Sequence, residues 1–395
     1  MNYLLSIIVP TKDRYKYLRS LISLIKSFNS NEIELVIQDN TRDNSEILEF
    51  IKDLSYTHLK YFHHGEKLSL EKNINKAIIN STGEYVCFIG DDDGVTRNIL
   101  NSVKWMKKNN IEALRSGKQA FYLWPDIVNI PGIKHAGVLK YLDHKESYEF
   151  RKPLEELNKV CKIGMQNIGL MPKLYHGIVR RDILDQIYKI GGTYFPGAAA
   201  DMSNAVALCF CVQKYVVVDF SVTIYGSSQM FGGGMHRKKN RLAKISEVDF
   251  ISQEVRDNWE KRIPPFWHTF FVWPESGTKA LKYMSKEEYI GQINYDYMLA
   301  RFLSIHFSSF LGMCLNLSIN KSKLIRYYLK FKLIKILVKI KHLVSFLFFW
   351  NRRLIYTWKL QKNIENIICA EKILFEKNRE LNFDALIKNE IIDDK

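Results

Sequence analysis

Over its first 130 residues the chain alternates between strand-like and helix-like segments, and this alternation constrains the fold more than any other feature. Apolar strands are predicted at residues 4–10, 33–37 and 59–62 and in the stretch EYVCFIG. Helices are predicted at 15–28, 43–54 and 70–79, the last with Ser69 as its N-cap. Such an alternation is typical of an α/β fold in which helices cover both faces of a mostly parallel sheet.

Polar clusters follow three of the predicted strands, in the order TKDR, QDNTRD and GDDDG. Open α/β sheets bind ligands beyond the carboxyl ends of their strands, so we expect the clusters to converge on one crevice. Neither a glycine-rich dinucleotide motif nor a P-loop motif occurs, so the usual backbone cradles for phosphate are excluded. The adjacent carboxylates of Asp91, Asp92 and Asp93 indicate instead a divalent cation, Mg²⁺ or Mn²⁺, shared with phosphate oxygens. The alternative is an acidic turn that merely ends a strand.

Three segments carry a resemblance to a known family: SIIVPTKDR, ELVIQDNTRDNS and LEKNINKAIINSTGEYVCFIGDDDG. In their order and spacing they resemble the signatures of family 2 glycosyltransferases, which are inverting, sugar-nucleotide-dependent enzymes of the GT-A fold. The resemblance covers about the first 105 residues and becomes patchy up to about residue 230.

The resemblance implies which residues lie near the nucleotide. Pro10, Thr11 and Arg14 fall where the family's nucleotide pocket begins. Lys72 falls where the family often has a basic residue, with a solvated helix lysine as the alternative. Asp39 matches the acid that typically meets the base, but the acid before it and the glycine after it are replaced by glutamine and asparagine. A UDP-sugar is favoured only as the family's commonest donor.

The resemblance also implies the catalytic groups. Gly90 stands in place of the first acid of the family's metal motif, which makes Asp92 the principal ligand. Asp91 and Asp93 then flank it and reach the ribose, a second ligand position or metal-bound water. Asp201, in FPGAAADMSNAVAL, falls where the family has its catalytic base at the start of a helix, although alanine replaces the glutamate usually found before it. A helix-capping aspartate is the alternative.

A triple-glycine segment with basic residues, SSQMFGGGMHRKKNRLAK, lies at 227–244. Glycines give a closing loop its backbone freedom, and His236 and Arg237 would then reach the diphosphate. A basic surface loop is the alternative. For His176, in LYHGIV, we expect a core position rather than a catalytic one.

The positive charge is concentrated near the carboxyl end. The formal net charge is +16, and residues 297–364 hold 13 basic residues and no acidic one. Leucine, isoleucine and phenylalanine are interleaved with these charges, which indicates an anionic membrane surface and argues against nucleic acid as the partner. The longest clean apolar run, 343–350, is too short to span a bilayer. A solvated basic face on ordinary packing helices is the alternative.

Length favours two units, a GT-A domain at 1–245 and a mainly helical region at 246–395. Six scattered cysteines fit a reducing cytosol. Together these features predict a peripheral enzyme on the inner face of a bacterial membrane, which moves a hexosyl group from a nucleotide sugar to a glycan or lipid-linked acceptor in surface polysaccharide synthesis. A sugar nucleotidyltransferase is one alternative, although its glycine-rich amino-terminal loop is missing. A noncatalytic membrane-bound scaffold is the other.

Overall fold

The computed structural model describes residues 3–129, 135–230, 243–248, 251, 253–306, 320–347, 358–378 and 381–389. The strands are β1 Leu5–Thr11, β2 Ile33–Asp39, β3 Leu59–His63, β4 Tyr85–Phe88, β5 Gly94–Val95, β6 Ala113–Ser116, β7 Ala120–Leu123, β8 Val138–Tyr141, β9 Ser147–Arg151, β10 Gly177–Arg180, β11 Tyr215–Val218, β12 Thr223–Ser227, β13 Ala243–Lys244, β14 Phe266–Trp267, β15 Lys359–Gln361 and β16 Ile387–Lys388.

The α-helices are α1 Tyr15–Lys26, α2 Ser45–Leu54, α3 Leu70–Ile79, α4 Asn98–Lys108, α5 Pro153–Lys162, α6 Arg181–Gly191, α7 Ala200–Cys211, α8 Gln253–Asp257, α9 Thr269–Tyr283, α10 Tyr295–Ile305, α11 Lys321–Leu347 and α12 Ile367–Asn378. Short 3₁₀ helices lie at Pro125–Asn129, Ile245–Glu247, Glu287–Gln292 and Phe383–Ala385.

The main sheet has nine strands in the order β16-β9-β11-β6-β10-β4-β1-β2-β3. Strands β3, β2, β1 and β4 are parallel neighbours, whereas β10 runs antiparallel to both β4 and β6. Thr11 at the end of β1 pairs with Asp39 at the end of β2, so the polar segments after these strands start at the same edge.

Alternating side chains of the central strands build a core on each face of the sheet. In β1, Leu5, Ile7 and Val9 pack into the core that contains α1. Ile8 points the other way, into the core that contains Ile74 of α3. Each fully buried side chain of this kind stabilises the fold by roughly 1.5–3 kcal/mol. The predicted α/β architecture, a mostly parallel sheet between helices, is confirmed.

A second sheet of five strands, in the order β15-β8-β7-β12-β5, stands beside the first. Strand β5 belongs to it, although the preceding strand β4 belongs to the main sheet. The segment from Ile89 to Asp93 therefore connects the two sheets.

The carboxyl end of the chain returns to these sheets. β15 pairs with β8 and β16 with β9, while α12 packs against α1 and β5. Within the region predicted to be mainly helical, Lys359–Gln361 and Ile387–Lys388 are therefore short strands that extend the two sheets. Ile367, Ala370 and Leu374 of α12 are buried in the main core, which explains why this segment packs there.

Ser69 is the N-cap residue of α3, as predicted. Its hydroxyl makes no hydrogen bond with the described residues, so the helix amides are not capped by it.

The basic segment at 297–364 contains α11, which packs along α10. Among the described residues, no helix combines the length and apolarity needed to cross a membrane.

Candidate active site

The three consecutive aspartates lie in residues 90–93, here called the aspartate loop, between β4 and β5. All three are buried. The indole nitrogen of Trp124 donates to the carbonyl of Asp92 at 2.8 Å. Gly226 of β12 lies so close that a Cβ there would stand 1.7 Å from the same carbonyl oxygen. The second sheet thus holds the loop in place, and only glycine fits at position 226.

Asp91 and Asp92 converge on one guanidinium group. Arg14 Nη1 lies 3.0 Å from Asp91 Oδ1, and Arg14 Nη2 lies 2.6 Å from Asp92 Oδ2. The hydroxyl of Thr11 donates to Asp91 Oδ2 at 2.7 Å, and that of Ser228 donates to Asp92 Oδ2 at 2.6 Å. Side chains from the end of β1, the start of α1 and the end of β12 therefore meet at the aspartate loop.

Asp93 points to different partners. Its Oδ1 accepts a hydrogen bond from the Gly226 amide at 2.7 Å, and its Oδ2 accepts from the Gly90 amide at 2.7 Å and the Tyr175 hydroxyl at 3.0 Å. His176 Nε2 lies 3.0 Å from the same oxygen. Both carboxylate oxygens are occupied by the protein's own groups.

The surroundings of the three carboxyls shift their pKa values in different directions. Burial, with the neighbouring charge of Asp92, raises the pKa of Asp91 to about 7 against the opposing effect of Arg14. Burial likewise raises the pKa of Asp92. Burial also acts to raise the pKa of Asp93, but His176 and two backbone amides outweigh it and lower that pKa. The pKa of Arg14 rises because the aspartates outweigh its own burial, so it stays a cation.

The family resemblance implies a divalent cation, and Asp91 and Asp92 fit one, because their oxygens already converge on one positive group. Asp91 Oδ1 is buried and accepts no hydrogen bond from the described residues. Mg²⁺ or Mn²⁺ needs only one or two carboxylates when phosphate oxygens complete the coordination. The described residues contain no group of three His, Cys, Asp or Glu side chains that could hold a metal. Asp93 differs from the other two predicted ligands, because both of its oxygens accept hydrogen bonds from the protein's own groups.

Asp39 ends β2 and is fully buried. Its Oδ2 accepts hydrogen bonds from the hydroxyls of Tyr15 at 2.7 Å and Tyr61 at 2.6 Å, and its Oδ1 accepts from the Thr41 amide at 2.8 Å. The predicted contact with a nucleotide base requires an oxygen free to accept a hydrogen bond. Oδ2 already has two donors, whereas Oδ1 has one and can accept another.

The other predicted nucleotide residues lie at different depths. Pro10 is half-buried in β1, and Thr11 is buried beside Asp91. Lys72 is exposed on α3, whereas its neighbour Asn73 is buried and donates to the carbonyls of Thr11 and Gln38 at 3.4 Å. Of these two neighbours, it is therefore Asn73 and not Lys72 that faces inward. His236 and Arg237 lie outside the described residues.

Asp201 is the second residue of α7 and is half-buried. Its Oδ1 accepts the Met202 amide at 2.8 Å, while the N-cap position itself belongs to Ala199. Burial raises the pKa of Asp201 against the opposing effects of that amide and of Lys173. The Asp201 carboxyl thus accepts hydrogen bonds from one helix amide and from the indole of Trp273, and burial still prevails over both.

Lys173 lies between Asp201 and the aspartate loop. Its side chain is 6% exposed, and burial lowers its pKa while the charges of Asp201 and Asp93 oppose that shift. Its ammonium group donates to the hydroxyl of Tyr225, whose ring stacks on His176 at 3.5 Å. Lys173 therefore connects the predicted base electrostatically to the loop.

The sequence interpretation missed Lys173, Tyr225 and Ser228 and treated His176 as a core residue. His176 is indeed buried, but beside Asp93. The structure gives a signal that the sequence does not: the backbone of His176 is in the left-handed region with φ 58°, a conformation that is costly for a non-glycine residue. That conformation is visible only in the structure.

Residues 6–114 match the model of glycosyl transferase family 2. This part of the chain is similar to family 2 glycosyltransferases. The match contains Arg14, Asp39 and the aspartate loop, and it confirms the predicted family. Asp201 and Lys173 lie beyond it.

Solved structures similar to this chain include residues 1–349 of S. aureus TarS in complex with UDP, at 17% identity and a TM-score of 0.43, covering 78% of this chain and 72% of that one. Another is the mannosyltransferase PcManGT from Pyrobaculum calidifontis in complex with GDP-Man and Mn²⁺, at 15% identity and a TM-score of 0.40, covering 77% and 76%. No curated protein sequence matches.

Proposed function

We propose that the chain is an inverting glycosyltransferase that moves a hexosyl group from a nucleotide sugar, with a UDP-sugar favoured, to a glycan or lipid-linked acceptor. The observation that carries the proposal is the convergence of Arg14, Asp91 and Asp92 at the ends of β1 and β4, inside the segment that matches family 2. Bound Mg²⁺ or Mn²⁺ would stabilise the negative charge on the departing nucleoside diphosphate.

In this proposal the chain's own residues bind the donor and move one proton. Arg14 and the hydroxyls of Thr11 and Ser228 lie at the loop where the diphosphate would bind. Charge-assisted hydrogen bonds from arginine suit phosphate oxygens because the guanidinium presents paired donors. These groups would orient the donor so that its anomeric carbon faces α7.

Asp201 would act as the general base. It takes the proton of the acceptor hydroxyl as that oxygen bonds to the anomeric carbon, and the nucleoside diphosphate leaves with the electron pair of the broken bond. Because burial raises the pKa of Asp201, its carboxylate holds a proton more strongly than an exposed aspartate does. A single displacement of this kind inverts the configuration at the anomeric carbon.

The proposal is tested with a panel of nucleotide sugars, Mg²⁺ and Mn²⁺, and the Asp201→Asn variant. We expect the variant to bind the nucleotide as the wild type does and to lose about 10³-fold in kcat, as is typical when a general base is removed. Asp182→Asn, in the exposed first turn of α6, is the matched control and should retain activity. Full turnover by Asp201→Asn, or the absence of any bound donor, would refute the assignment.

We further propose that the protein acts at the inner face of a bacterial membrane, in surface polysaccharide synthesis. The support is α11, where Ile325, Leu329, Leu333 and Ile336 are 54–59% exposed although they are apolar. Their spacing places them along one side of the helix. Lysines and Arg326 stand beside this stripe, so its chemistry complements an anionic lipid surface.

Sedimentation with liposomes tests the membrane proposal. Binding to anionic vesicles should exceed binding to neutral ones and fall as salt screens the lysines. Replacing both Leu329 and Leu333 by serine should abolish most of this binding, whereas the control Leu48→Ser, on α2, removes an apolar side chain that is 46% exposed and should leave it intact. Equal binding by wild type and the double variant would contradict the proposal.

A further inference from the structure

Arg14 is held by the carboxylates that the proposed function assigns to a divalent cation. Its two terminal nitrogens lie 3.0 and 2.6 Å from Asp91 Oδ1 and Asp92 Oδ2. Nη2 also donates to the Ser228 hydroxyl at 3.0 Å. The guanidinium therefore stands where a cation shared by both carboxylates would be bound.

A guanidinium and a divalent cation cannot occupy this position together, since both require the same oxygens and both are positively charged. The pairing is also electrostatically incomplete. Arg14 brings one positive charge to two buried carboxylates, and Asp91 Oδ1 accepts no hydrogen bond from the described residues. The buried Arg14 Nε likewise has no hydrogen-bond partner among them. A ligand that offered better partners to both sides would separate them.

The position of Arg14 in the chain allows such a separation. It follows the exposed residues Lys12 and Asp13 in the turn between β1 and α1, and its own side chain is 19% exposed. A diphosphate offers several anionic oxygens to the guanidinium and then supplies the remaining ligands of a metal ion.

We propose that Arg14 is an internal counter-ion that keeps Asp91 and Asp92 from binding a divalent cation until a nucleoside diphosphate draws the guanidinium away. This inference rests on the proposed function. Nucleotide and cation binding are then linked, and each raises the affinity for the other by the same factor. The cation is thereby acquired with the donor rather than before it.

The test is Mn²⁺ binding to the full chain, followed by the electron paramagnetic resonance signal of free Mn²⁺, with and without UDP. Titrations of UDP with Mn²⁺ alone correct for their association in solution. We expect UDP to raise the Mn²⁺ affinity of the wild type at least about tenfold. Arg14→Met should bind Mn²⁺ at least about tenfold more tightly than the wild type without UDP, because the competing charge is gone.

Arg19→Met is the matched control. Arg19 lies on α1, just after Arg14 in the chain, but it pairs with Glu46, so the Mn²⁺ affinity of this variant should equal that of the wild type. If the methionine variant does not fold, Arg14→Lys replaces it in the test. A single ammonium group should compete with Mn²⁺ less well than the paired nitrogens of arginine, so Mn²⁺ should bind more tightly than to the wild type. Equal Mn²⁺ affinity of the wild type with and without UDP, in a protein that binds UDP, overturns the inference alone. If the protein binds neither UDP nor any nucleotide sugar, the proposed function is overturned instead.

Discussion

Asp93 and Asp201 are both acidic side chains of the proposed active site, yet their surroundings differ. Asp93 has two backbone amides, a tyrosine hydroxyl and His176 around its oxygens, and its pKa is lowered. Asp201 accepts one backbone amide, and burial raises its pKa. The comparison teaches that the fold keeps a structural carboxylate charged by surrounding it with donors. At Asp201 the Met202 amide, Lys173 and Trp273 do not outweigh burial.

Apart from removal of the proposed base, the largest expected effect comes from disturbing the surroundings of Asp93 while Asp201 stays intact. In Gly226→Ala the new Cβ would stand 1.7 Å from the Asp92 carbonyl oxygen, and the aspartate loop must move. We expect kcat/KM to fall by about 10²-fold, as displacements near 1 Å commonly cause. Steady-state kinetics and UDP titration measure this. Gly291→Ala, where a Cβ would meet nothing within 4 Å, should behave as the wild type. Normal kinetics in Gly226→Ala would mean that the loop is not held as described.

A smaller effect, on stability alone, is expected from another carboxylate with many donors. Glu34 is buried away from the site, and Ser6, Thr82, Gly83 and Lys60 surround it. Glu34→Gln should lower the free energy of unfolding by about 2 kcal/mol, measured by urea denaturation, with kcat unchanged. Glu32→Gln, at an exposed ion pair with Lys104, is the control and should cost little.

The pH dependence of unfolding also tests the role of Glu34, because its stabilising effect should change with pH in one direction. Burial acts to raise the pKa of Glu34, but its hydrogen bonds with Lys60, Ser6 and Thr82 prevail and lower it. The stabilisation is therefore present above the unfolded pKa and is lost as the pH falls through the folded one. If the variant and the wild type lose stability in parallel at acid pH, Glu34 is not the cause.

The smallest effect concerns Asp201 and the acid side of the pH profile of kcat. Its base form is lost as the pH falls through its raised pKa, so kcat should decline at a higher pH than an exposed aspartate would allow. Below that pKa, kcat should fall about tenfold for each pH unit. Measuring the dissociation constant of UDP at each pH separates loss of transfer from loss of binding. An acid limb that Asp201→Glu leaves at the same position would assign it to another group.

The sequence was sufficient to predict those strands and helices whose apolar residues recur with the spacing of a strand or a helix. The apolar run of β1 and the spacing of Leu18, Leu21 and Ile25 in α1 predicted both elements within a few residues, because burial of one face determines them. The N-cap position of Ser69 was predicted because serine is a preferred residue there. Its missing hydrogen bond was not, since that depends on the geometry around the hydroxyl.

The contacts of the site depend on residues far apart in the chain, which no local pattern encodes. Ser228 and Gly226 reach the aspartate loop from more than 130 residues away. The hydroxyls that occupy Asp39 come from α1 and β3, whose predicted packing did not specify them. Strands β15 and β16 have only three and two residues, too few to show a period.

Helix α12 packs behind the aspartate loop, although it lies much later in the chain. Ile367 packs where a Cβ on Gly94 would come within 2.6 Å, immediately after the three aspartates, and Glu371 accepts the Arg97 amide at 3.0 Å. A ribosome must therefore translate past codon 371 before the segment that backs the loop can emerge. Nascent chains halted before codon 367 would lack that backing, so the aspartate loop cannot be fully supported until this helix has been made.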